Sequence, residues 1–523
     1  MSAAAVSGAG ARPETEPGET GSGAIWIERE NPARPDEIVG AVPVADPAEV
    51  DSVVRRADGA FRDWSRLPLA DRLAALTASA DALAARRDAL AVLLARESGK
   101  PVGDCRGEIG FAVAYLRWLC DRAPRVLAPR EADDAAGRLA VRRAPYGVVA
   151  AVTPWNAPII LAVLKLGPAL AAGNTAVLKP SPLAPLAVTE AAGLFPGTSV
   201  VHGGPETVRA LVGHPLVRKV AFTGGTAAGR EIAATAGHGC KPVVLELGGN
   251  DPAVFLPDFA LSEAGFERLV MASFATSGQV CMAAKRLYVP RHRAGDFVDA
   301  YVAAARRILV TGDPLDPGAT MGPVVSAQAA RRVEALVEDS LRRGGTAVPL
   351  GVRADRQDRD GKHDSNGKHD PDGRRAPDGR RDGYFVTPRL VLGLADDAPL
   401  VAEEQFGPAV PLLLYDDEDE VAGRANACEL GLGASVWSAD EERAFAFAAR
   451  LEAGFTFVNT HNRTGMSLRA PFGGTKRSGY GREYADEGLL EYVQSTVVHA
   501  PAAFRPGGPG MPAGAYPAGE EDP

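Results

Sequence analysis

Residues 148–179 read VVAAVTPWNAPIILAVLKLGPALAAGNTAVLK, and this stretch decides the fold class. Two short apolar runs, VVAAVT and TAVLK, flank a segment that is long enough for a helix. Further apolar runs, KVAFT at 219–223 and PVVLEL at 242–247, alternate with helix-length segments in the same way. This alternation is typical of β-α-β crossovers in a parallel sheet. We therefore predict an α/β fold with a doubly wound, parallel-sheet domain.

Five leucines recur at near-helical spacing in an Ala- and Arg-rich stretch that ends at Gly99, a residue suited to a helix C-cap. They are Leu73, Leu76, Leu83, Leu90 and Leu94. We therefore predict one amphipathic helix packed against a core. The stretch VLAPREADDAAGRLAVRRAPYG at 126–147 instead predicts two strands joined by an acidic turn, a hairpin that interrupts the doubly wound domain.

The charge balance and the cysteines limit the class of protein. The 523 residues include 57 Lys and Arg against 66 Asp and Glu, and the net charge of −9 gives no reason to expect nucleic acid or an anionic membrane as a partner. The cysteines are odd in number and far apart, which argues against a disulfide framework or a zinc site. They are Cys105, Cys120, Cys240, Cys281 and Cys428. Since neither a signal peptide nor a membrane span is indicated, we expect a cytoplasmic protein whose partner is a small molecule.

Three segments are too poor in large apolar residues to pack into a core, and we predict that they are disordered. They are residues 1–20, the tail 501–523 and an internal insertion at 352–382. The insertion repeats GKHD and PDGRR and carries His363 and His369. These histidines could be read as a metal tract, but a solvated loop is the simpler interpretation, so we assign no metal.

Three polar residues at predicted strand ends or turns are candidates for chemistry. Cys281 lies in SGQVC behind a glycine, where a turn could present its thiol, although a lone cysteine is more often buried and inert. Glu246 ends an apolar strand, where a buried carboxylate is either salt-bridged or a tuned general base. Asn156 follows another strand, where it could cap a helix or line the crevice at the carboxyl ends of a parallel sheet.

Seven segments that include these residues resemble the aldehyde dehydrogenase superfamily, in the family's order and with compatible spacing. They are VTPWNAP, LKLGPALAAGNTAVLKPS, FTGGTAAG, LELGGNDP, SGQVC, EEQFGP and PFGGTKRSGYGRE, between Val152 and Glu483. The resemblance extends over nearly the whole chain. It implies an NAD(P)-dependent oxidoreductase that converts an aldehyde to the carboxylic acid.

The resemblance implies a role for each of the three residues. Cys281, as a thiolate, would attack the aldehyde, while the Asn156 amide and the Cys281 backbone N–H would stabilise the oxyanion. Hydride transfer would leave a thioester, and Glu246 would activate the water that cleaves it. Lys165 matches a lysine that the family places near a proton relay from this base, although a structural ion pair is an equal alternative.

NAD or NADP is the implied cofactor, and the family positions of its binding residues lie mostly at predicted strand ends and turns. They are Thr153, Pro154, Trp155, Lys179, Ser181, Gly224, Gly225, Thr226, Gly229, Leu247, Gly248, Glu404 and Phe406. Lys179 would contact the adenosine ribose, and the helix that begins near Gly225 and Thr226 would meet the pyrophosphate. Pro182 stands where many NAD-preferring relatives have a Glu, which leaves NADP use open.

By family position, an apolar set lines the substrate tunnel. It consists of Ala157, Leu161, Leu164, Val280, Met282, Met466 and Phe472. This lining suits a neutral or bulky aldehyde. Against it, Arg463 and Arg469 flank the loop before PFGG and could pair with an acidic substrate tail, although surface arginines are the commoner case.

The resemblance also suggests the domain boundaries. They are 21–125 with 146–248 for the dinucleotide-binding domain, 249–480 for the catalytic α/β domain, and 126–145 with 484–500 for a small β oligomerisation element. In GLLEYVQSTVVH, from Gly488 to His499, a turn leads into a strand, and in the family such a strand augments a neighbouring subunit's sheet. We therefore expect a homodimer or homotetramer.

Two other functions compete with aldehyde oxidation to the acid. A CoA-acylating semialdehyde dehydrogenase would resolve the thioester with CoA and can dispense with the base, so the presence of Glu246 argues against it. A catalytically silent nucleotide-binding structural protein has no physical reason to keep Cys281, Asn156 and Glu246 together.

Overall fold

The structure, a computed structural model, describes residues 25–354 and 382–505. Its strands are β1 (Trp26–Asn31), β2 (Arg34–Pro43), β3 (Arg130–Asp134), β4 (Gly137–Pro145), β5 (Val148–Val152), β6 (Thr175–Lys179), β7 (Thr198–Val200), β8 (Val217–Thr223), β9 (Val243–Glu246), β10 (Pro252–Phe255), β11 (Arg286–Pro290), β12 (Val310–Thr311), β13 (Thr346–Pro349), β14 (Val352–Arg353), β15 (Arg389–Leu392), β16 (Ala409–Tyr415), β17 (Leu430–Gly431), β18 (Gly433–Trp437), β19 (Phe455–Val458), β20 (Thr475–Lys476), β21 (Gly479–Tyr480) and β22 (Val493–Pro501). Its helices are α1 (Pro47–Trp64), α2 (Leu69–Ala85), α3 (Arg87–Ser98), α4 (Val102–Val126), α5 (Pro158–Ala171), α6 (Leu186–Ala192), α7 (Pro205–Gly213), α8 (Thr226–His238), α9 (Glu263–Phe274), α10 (Ala294–Ile308), α11 (Ala327–Arg342), α12 (Pro399–Ala402), α13 (Glu418–Asn426), α14 (Glu441–Ala448) and α15 (Ala485–Leu490).

The first sheet has six strands in the order β7-β6-β5-β8-β9-β21. Strands β5 to β9 pair in parallel, and β21 is antiparallel to β9. The chain begins at β5, moves outward through β6 and β7, and then crosses back to β8 and β9. This order is the doubly wound arrangement, so the prediction of an α/β fold with such a sheet is confirmed. The order in which the chain adds strands reverses between β5 and β8, and folds of this type form a ligand crevice at the carboxyl ends of the strands at this point.

The second sheet has seven strands in the order β13-β15-β16-β11-β10-β18-β19. Its neighbours pair in parallel apart from β13, which is antiparallel to β15. One face packs on an aromatic core in which the rings of Phe255 and Trp437 stack at 5.4 Å and Phe255 meets Phe297 at 4.8 Å. The second α/β unit is therefore a separate sheet with its own core.

A third sheet, in the order β22-β4-β3, contains the hairpin predicted within 126–147. Strand β22 pairs antiparallel with β4 from Val493 opposite Pro145 to Pro501 opposite Gly137. The late strand therefore begins after Gly488, because residues up to Leu490 lie in α15. It also includes Pro501, the residue with which we began the predicted tail.

The five leucines are all buried, but they lie on two helices rather than on the one predicted. Helices α2 and α3 meet at Arg86, whose φ of −94° and ψ of 4° interrupt the helix. Gly99 ends α3 with a φ of 80°, a left-handed conformation that favours glycine. Periodicity does not reveal the break, because leucines on both sides of it enter the same core.

Two predicted boundaries differ from the structure. Gly479 and Tyr480 pair with β9 of the first sheet, although the boundary at 480 assigns them to the catalytic domain. A Cβ on Gly479 would lie 1.9 Å from the Leu245 carbonyl oxygen, so the close approach needs glycine. The insertion was predicted to begin at 352, but Val352 and Arg353 pair with β12.

The remaining disorder predictions, for 1–20, 355–381 and 506–523, lie outside the described residues, as do His363 and His369. Within residues 25–354 and 382–505, no helix has the length and apolar character needed to cross a membrane.

Candidate active site

The candidate residues lie on strand ends and loops of both large sheets, and the structure brings them together. Asn156 follows β5, Glu246 ends β9, and Cys281 lies in the loop before β11. Carboxyl ends of parallel strands form ligand crevices at such a reversal point. Asn156 and Glu246 therefore lie at the carboxyl edge of the first sheet, where the fold favours a ligand, and the loop that carries Cys281 reaches them from the second sheet.

The Asn156 side chain forms a hydrogen bond to the loop before Cys281, here called the cysteine loop, and does not cap α5. Its Nδ2 donates to the carbonyl oxygen of Gln279 at 3.1 Å, two residues before Cys281. Ala157 is the N-cap of α5, with no side-chain hydrogen bond. The Glu108 carboxylate accepts from the first free amides of α5 instead. The capping alternative for Asn156 is therefore wrong.

The loop before Cys281 has an unusual backbone. Thr276, Ser277 and Gly278 have φ values of 55°, 57° and 71°, a left-handed run that costs energy for the two residues with side chains. A Cβ on Gly278 would lie 2.4 Å from the carbonyl oxygen of Gly407, so this loop packs directly on the loop that carries Phe406. Strain of this kind is maintained by the surrounding packing and is frequent at functional sites.

Cys281 is half-buried among groups that affect its protonation. Burial raises the pKa of its thiol to about 12, the nearby Lys285 opposes this rise, and the acidic groups Glu404, Asp251 and Glu246 add to it. Glu246 is thus close enough to act on the thiol electrostatically. In the free protein the thiol is protonated at neutral pH.

Glu246 is a buried carboxyl group without a partner. It is 3% exposed, and within the described residues neither carboxylate oxygen has a hydrogen bond. Burial raises the pKa of Glu246 well above its ordinary value, and the nearby Glu483 adds to this. A salt-bridged structural role is therefore excluded, because the partner that such a role requires is not among these residues.

Lys165 does have such a partner. Its ammonium donates to Glu483 Oε1 at 2.7 Å and to Thr223 Oγ1 at 2.6 Å, and the ion pair is almost fully buried. The charge of Lys165 also lowers the pKa of Glu246 against the larger effect of burial. Lys165 is therefore both half of an ion pair and an electrostatic neighbour of the candidate base. Glu483 was the last residue of a quoted motif but received no role from the sequence.

Lys285, also missed by the sequence, joins three loops of the site. Its Nζ donates to the carbonyl oxygens of Gly249 at 2.6 Å and Cys281 at 2.8 Å, and to Glu404 Oε1 at 2.7 Å. In SGQVCMAAKR it is one of two adjacent basic residues, and nothing in the pattern distinguishes it from Arg286. The ion pair fixes Glu404, whose Oε1 also accepts from the Gly249 amide at 3.1 Å.

Several predicted cofactor residues contact one another across the crevice. A Cβ on Gly248 would lie 2.4 Å from Glu404 Oε2 and 3.5 Å from Thr226 Oγ1, so these residues line one narrow space. The rings of Trp155 and Phe406 meet edge to face at 5.5 Å. Phe406 has a φ of 49°, a strained conformation for an aromatic residue.

The glycine-rich turn after β8 begins α8. Gly225 is the N-cap, and a Cβ there would meet nothing within 4 Å, so a larger residue would fit. Gly229 lets the helix approach the sheet, since a Cβ at this position would lie 2.4 Å from Leu247 Cδ2. A Cβ on Gly224 would lie 2.5 Å from the Phe222 ring. The turn therefore places open helix amides at the crevice, as a pyrophosphate requires.

The end of β6 supplies the remaining cofactor candidates. Lys179 is 5% exposed, and burial lowers the pKa of its ammonium to about 8. Its carbonyl accepts from the Thr153 amide at 3.1 Å, which holds Thr153 and Pro154 beside it, and the Thr153 hydroxyl is buried without a partner among the described residues. Ser181 Oγ accepts from the Leu183 amide at 3.2 Å. The crevice thus offers helix amides, a buried cation and an unpartnered hydroxyl, which fit a dinucleotide.

Most of the predicted tunnel residues belong to the same apolar cluster as Cys281. They are Ala157, Leu161, Leu164, Met282, Met466 and Phe472, while Val280 is half-buried outside the cluster. The cluster also contains aromatic residues that no motif indicated, among them Phe111, Trp118 and Phe455. These aromatic residues therefore pack in the same hydrophobic cluster as Cys281.

The two arginines considered for an acidic substrate differ. Arg463 pairs with Asp104 at 3.2 Å, and Asp104 also accepts from the Thr276 hydroxyl at 3.3 Å. Arg469 is exposed, and it forms no ion pair with a carboxylate within residues 25–354 and 382–505. The Arg463 charge is thus largely neutralised by the protein. Among the same residues, no group of three His, Cys, Asp or Glu side chains could hold a metal ion.

Known proteins resemble the whole chain. The model of the aldehyde dehydrogenase family matches residues 20–364 and 361–498. The succinate-semialdehyde dehydrogenase (NADP+) of Deinococcus radiodurans is 34% identical over 89% of this chain and 93% of its own length. The glutarate-semialdehyde dehydrogenase of Pseudomonas aeruginosa is 35% identical over 90% of this chain and 92% of its own.

A solved structure agrees with this result. The crystal structure of an NAD-dependent aldehyde dehydrogenase from Sinorhizobium meliloti superposes with a TM-score of 0.83 at 30% identity, covering 94% of this chain and 93% of that chain. Sequence and fold therefore agree over the full length of both sheets. The chain belongs to the aldehyde dehydrogenase family and is an oxidoreductase that oxidises an aldehyde to a carboxylic acid with NAD or NADP.

Proposed function

We propose that Cys281 is the nucleophile of this oxidation, that Asn156 stabilises the oxyanion and that Glu246 is the general base. The observation that carries the proposal is Glu246, a buried carboxyl without a partner whose charge acts on the Cys281 thiol. Keeping such a group unpaired costs stability, which a functional role explains.

In the first step Cys281 loses its thiol proton to solvent, the resulting thiolate forms a bond to the aldehyde carbon, and the electron pair of the C=O bond moves to oxygen. The Asn156 amide and the Cys281 backbone N–H donate to this oxyanion. Because Asn156 is held by Gln279 of the cysteine loop, the two donors move together with the nucleophile. Oxidised nicotinamide, when bound, would supply the hydride acceptor for this carbon.

The product of the oxidation is a thioester on Cys281, which water must cleave. Glu246 takes a proton from the water, whose oxygen bonds to the carbonyl carbon, and the thiolate of Cys281 is released. A raised pKa suits this role because it makes the carboxylate a stronger base than an ordinary glutamate. The Lys165–Glu483 pair lies next to Glu246 and offers a route for the proton.

The cofactor would bind across the crevice of the first sheet. We assign the amides at the start of α8 to the pyrophosphate, Lys179 to the adenosine ribose and Glu404 to the nicotinamide ribose. Lys285 holds Glu404 in place for this contact. Trp155 and Phe406 would enclose the nicotinamide end.

Incubation of the purified protein with an aldehyde panel and either NAD or NADP tests the function. Absorbance of the reduced nicotinamide should rise with wild-type protein and not with a Cys281→Ala variant. Full turnover by Cys281→Ala would contradict the covalent mechanism. Product analysis with CoA present distinguishes the CoA-acylating alternative, because free acid is expected and acyl-CoA would contradict the assignment of Glu246.

The substrate that the site favours is a neutral aldehyde with an apolar body. Cys281 shares its cluster with Phe455, Phe472 and other apolar residues, and Asp104 already neutralises Arg463. The relatives' names, succinate- and glutarate-semialdehyde dehydrogenase, raise an acid-tailed substrate as the alternative. We expect a higher kcat/KM for benzaldehyde than for succinate semialdehyde, and the reverse order would support the Arg463 and Arg469 interpretation.

The assembly that we propose is a homodimer or homotetramer in the cytoplasm. Strand β22 is the edge of its sheet and is exposed along most of its length, with Val497 and Val498 61% and 59% exposed. An apolar edge of this kind tends to pair with another strand. The five cysteines are all free. Light scattering of the intact protein tests the assembly, and a monomer would contradict it.

A further inference from the structure

Two buried basic side chains lie together at the adenosine end of the proposed cofactor crevice. Strands β6 and β7 pair in parallel, with Leu178 opposite Val200, and the Val201 amide donates to the Leu178 carbonyl at 2.9 Å. Lys179, the last residue of β6, and His202, two residues after β7, therefore lie at the carboxyl ends of neighbouring strands. His202 received no role from the sequence.

Within residues 25–354 and 382–505, neither side chain has an anionic partner. Lys179 is 5% exposed and His202 is 8% exposed. Among the described residues, the Lys179 ammonium has no ion pair or side-chain hydrogen bond, and His202 Nδ1 is buried without a partner. Burial and the nearby charge of Lys179 together lower the pKa of His202 to about 4. Two basic groups thus share a site that lacks a negative charge.

The surrounding loops do not supply that charge. The segments PSPLAP at 180–185 and HGGP at 202–205 contain no acidic residue. A buried cation is costly unless it is paired, so a ligand anion would be strongly favoured here. We propose that His202 acts with Lys179 to bind the 2′-phosphate of NADP, which makes His202 a determinant of cofactor specificity. The proposal rests on the proposed function of the crevice.

The second ring nitrogen of His202 explains how the ring would be oriented. Nε2 lies 3.5 Å from Thr189 Oγ1, and that hydroxyl donates its own proton to the Pro185 carbonyl. Thr189 can therefore only accept from Nε2, which leaves Nδ1 for the ligand. A phosphate dianion would stabilise the imidazolium form, so that Nδ1 donates to it in a charge-assisted hydrogen bond. In the absence of phosphate, a neutral Nδ1 could instead accept from a ribose hydroxyl, which would favour NAD.

Calorimetric binding to the full chain separates these outcomes without any aldehyde. The probes are 2′,5′-ADP, which carries the 2′-phosphate, and 5′-ADP, which does not. We expect 2′,5′-ADP to bind wild-type protein at least about tenfold more tightly. His202→Leu should reduce the affinity for 2′,5′-ADP by about tenfold and leave that for 5′-ADP unchanged. His214→Leu is the matched control, because His214 is equally buried but pairs with Asp51.

Three results would overturn the proposal: equal affinity of wild-type protein for both probes, an equal loss for both probes in His202→Leu, or a loss confined to 5′-ADP. The last would identify Nδ1 as the acceptor from a ribose hydroxyl. Thermal unfolding of each variant checks the fold. Because no turnover is needed, a protein that discriminates the probes but oxidises no aldehyde would contradict the proposed function and not this inference.

Discussion

The Glu108 carboxylate on α4 accepts a hydrogen bond from the Ile159 amide at 2.8 Å, and so fixes the start of α5 from outside the helix. The same oxygen accepts from the Ile160 amide at 3.2 Å, and the other oxygen pairs with the buried Lys100. Asn156 lies three residues before Ile159. The position of the proposed oxyanion donor thus depends on a carboxylate that contacts neither substrate nor cofactor.

We expect Glu108→Gln to lower kcat by about 10- to 100-fold with a smaller change in KM for the aldehyde, because a displaced donor affects the transition state most. The variant should also lose about 3 kcal/mol of stability, since Lys100 is left buried and unpaired. Steady-state kinetics and thermal unfolding measure both effects.

Glu97→Gln is the matched control for this experiment. Glu97 accepts from the Leu186 and Ala187 amides at 2.8 Å each and so anchors α6 as Glu108 anchors α5. Because Thr189 of α6 contacts His202 beside Lys179, the control should affect stability and cofactor KM with little change in kcat. Equal losses of kcat in both variants would show that Glu108 acts only through stability.

The Cys281 thiol should react slowly with iodoacetamide in protein without cofactor, and faster as the pH rises. Burial raises the pKa of the thiol to about 12, so the reactive thiolate fraction should grow about tenfold per pH unit between pH 7 and 10. Peptide mass spectrometry follows Cys281 and the exposed Cys240 in one sample. A Cys281 rate that levels off below pH 8 would contradict the raised pKa.

A double variant separates the two roles considered for Lys165. Lys165→Met leaves Glu483 buried without its cation, so it should destabilise the protein by about 3 kcal/mol and lower kcat. Adding Glu483→Gln should recover stability, because the unpaired charge is removed. If the pair conducts protons, kcat stays low in the double variant; recovery of kcat together with stability would assign Lys165 a structural role.

The sequence predicted this site as far as local patterns allow. The strands around 148–179 were identified because apolar runs and helix-length segments alternate, and Cys281 because its neighbours match a family motif. Partnerships between distant residues leave no such pattern. Lys165 and Glu483 are 318 positions apart, and neither their ion pair nor the burial of His202 can be read from the residues beside them.

The helix break at Arg86 shows the same limit at short range. Leucines of both α2 and α3 enter one core, so the pattern of apolar residues continues through Arg86, although the helix is interrupted there.

The Asn156 amide shows why two roles can remain open for a single residue when only the sequence is known. An asparagine after a strand can either cap the next helix or face a ligand. The hydrogen bond from the Asn156 side chain to the Gln279 carbonyl shows that it does not cap the helix.

Glu246→Gln should form the thioester on Cys281 and fail to hydrolyse it. Glutamine preserves the size of the side chain but cannot take the proton of the attacking water, and a buried amide avoids the cost of a buried charge, so the fold should persist. After one turnover with cofactor and aldehyde, the intact mass should increase by the acyl group, and free acid should fall by about 100-fold or more. A Cys281→Ala, Glu246→Gln double variant controls for acylation elsewhere. Because loss of Glu246 affects hydrolysis and not oxidation, the first turnover should still produce one equivalent of reduced cofactor. A variant that gives neither the adduct nor this burst would refute the role of Glu246 as the base for hydrolysis.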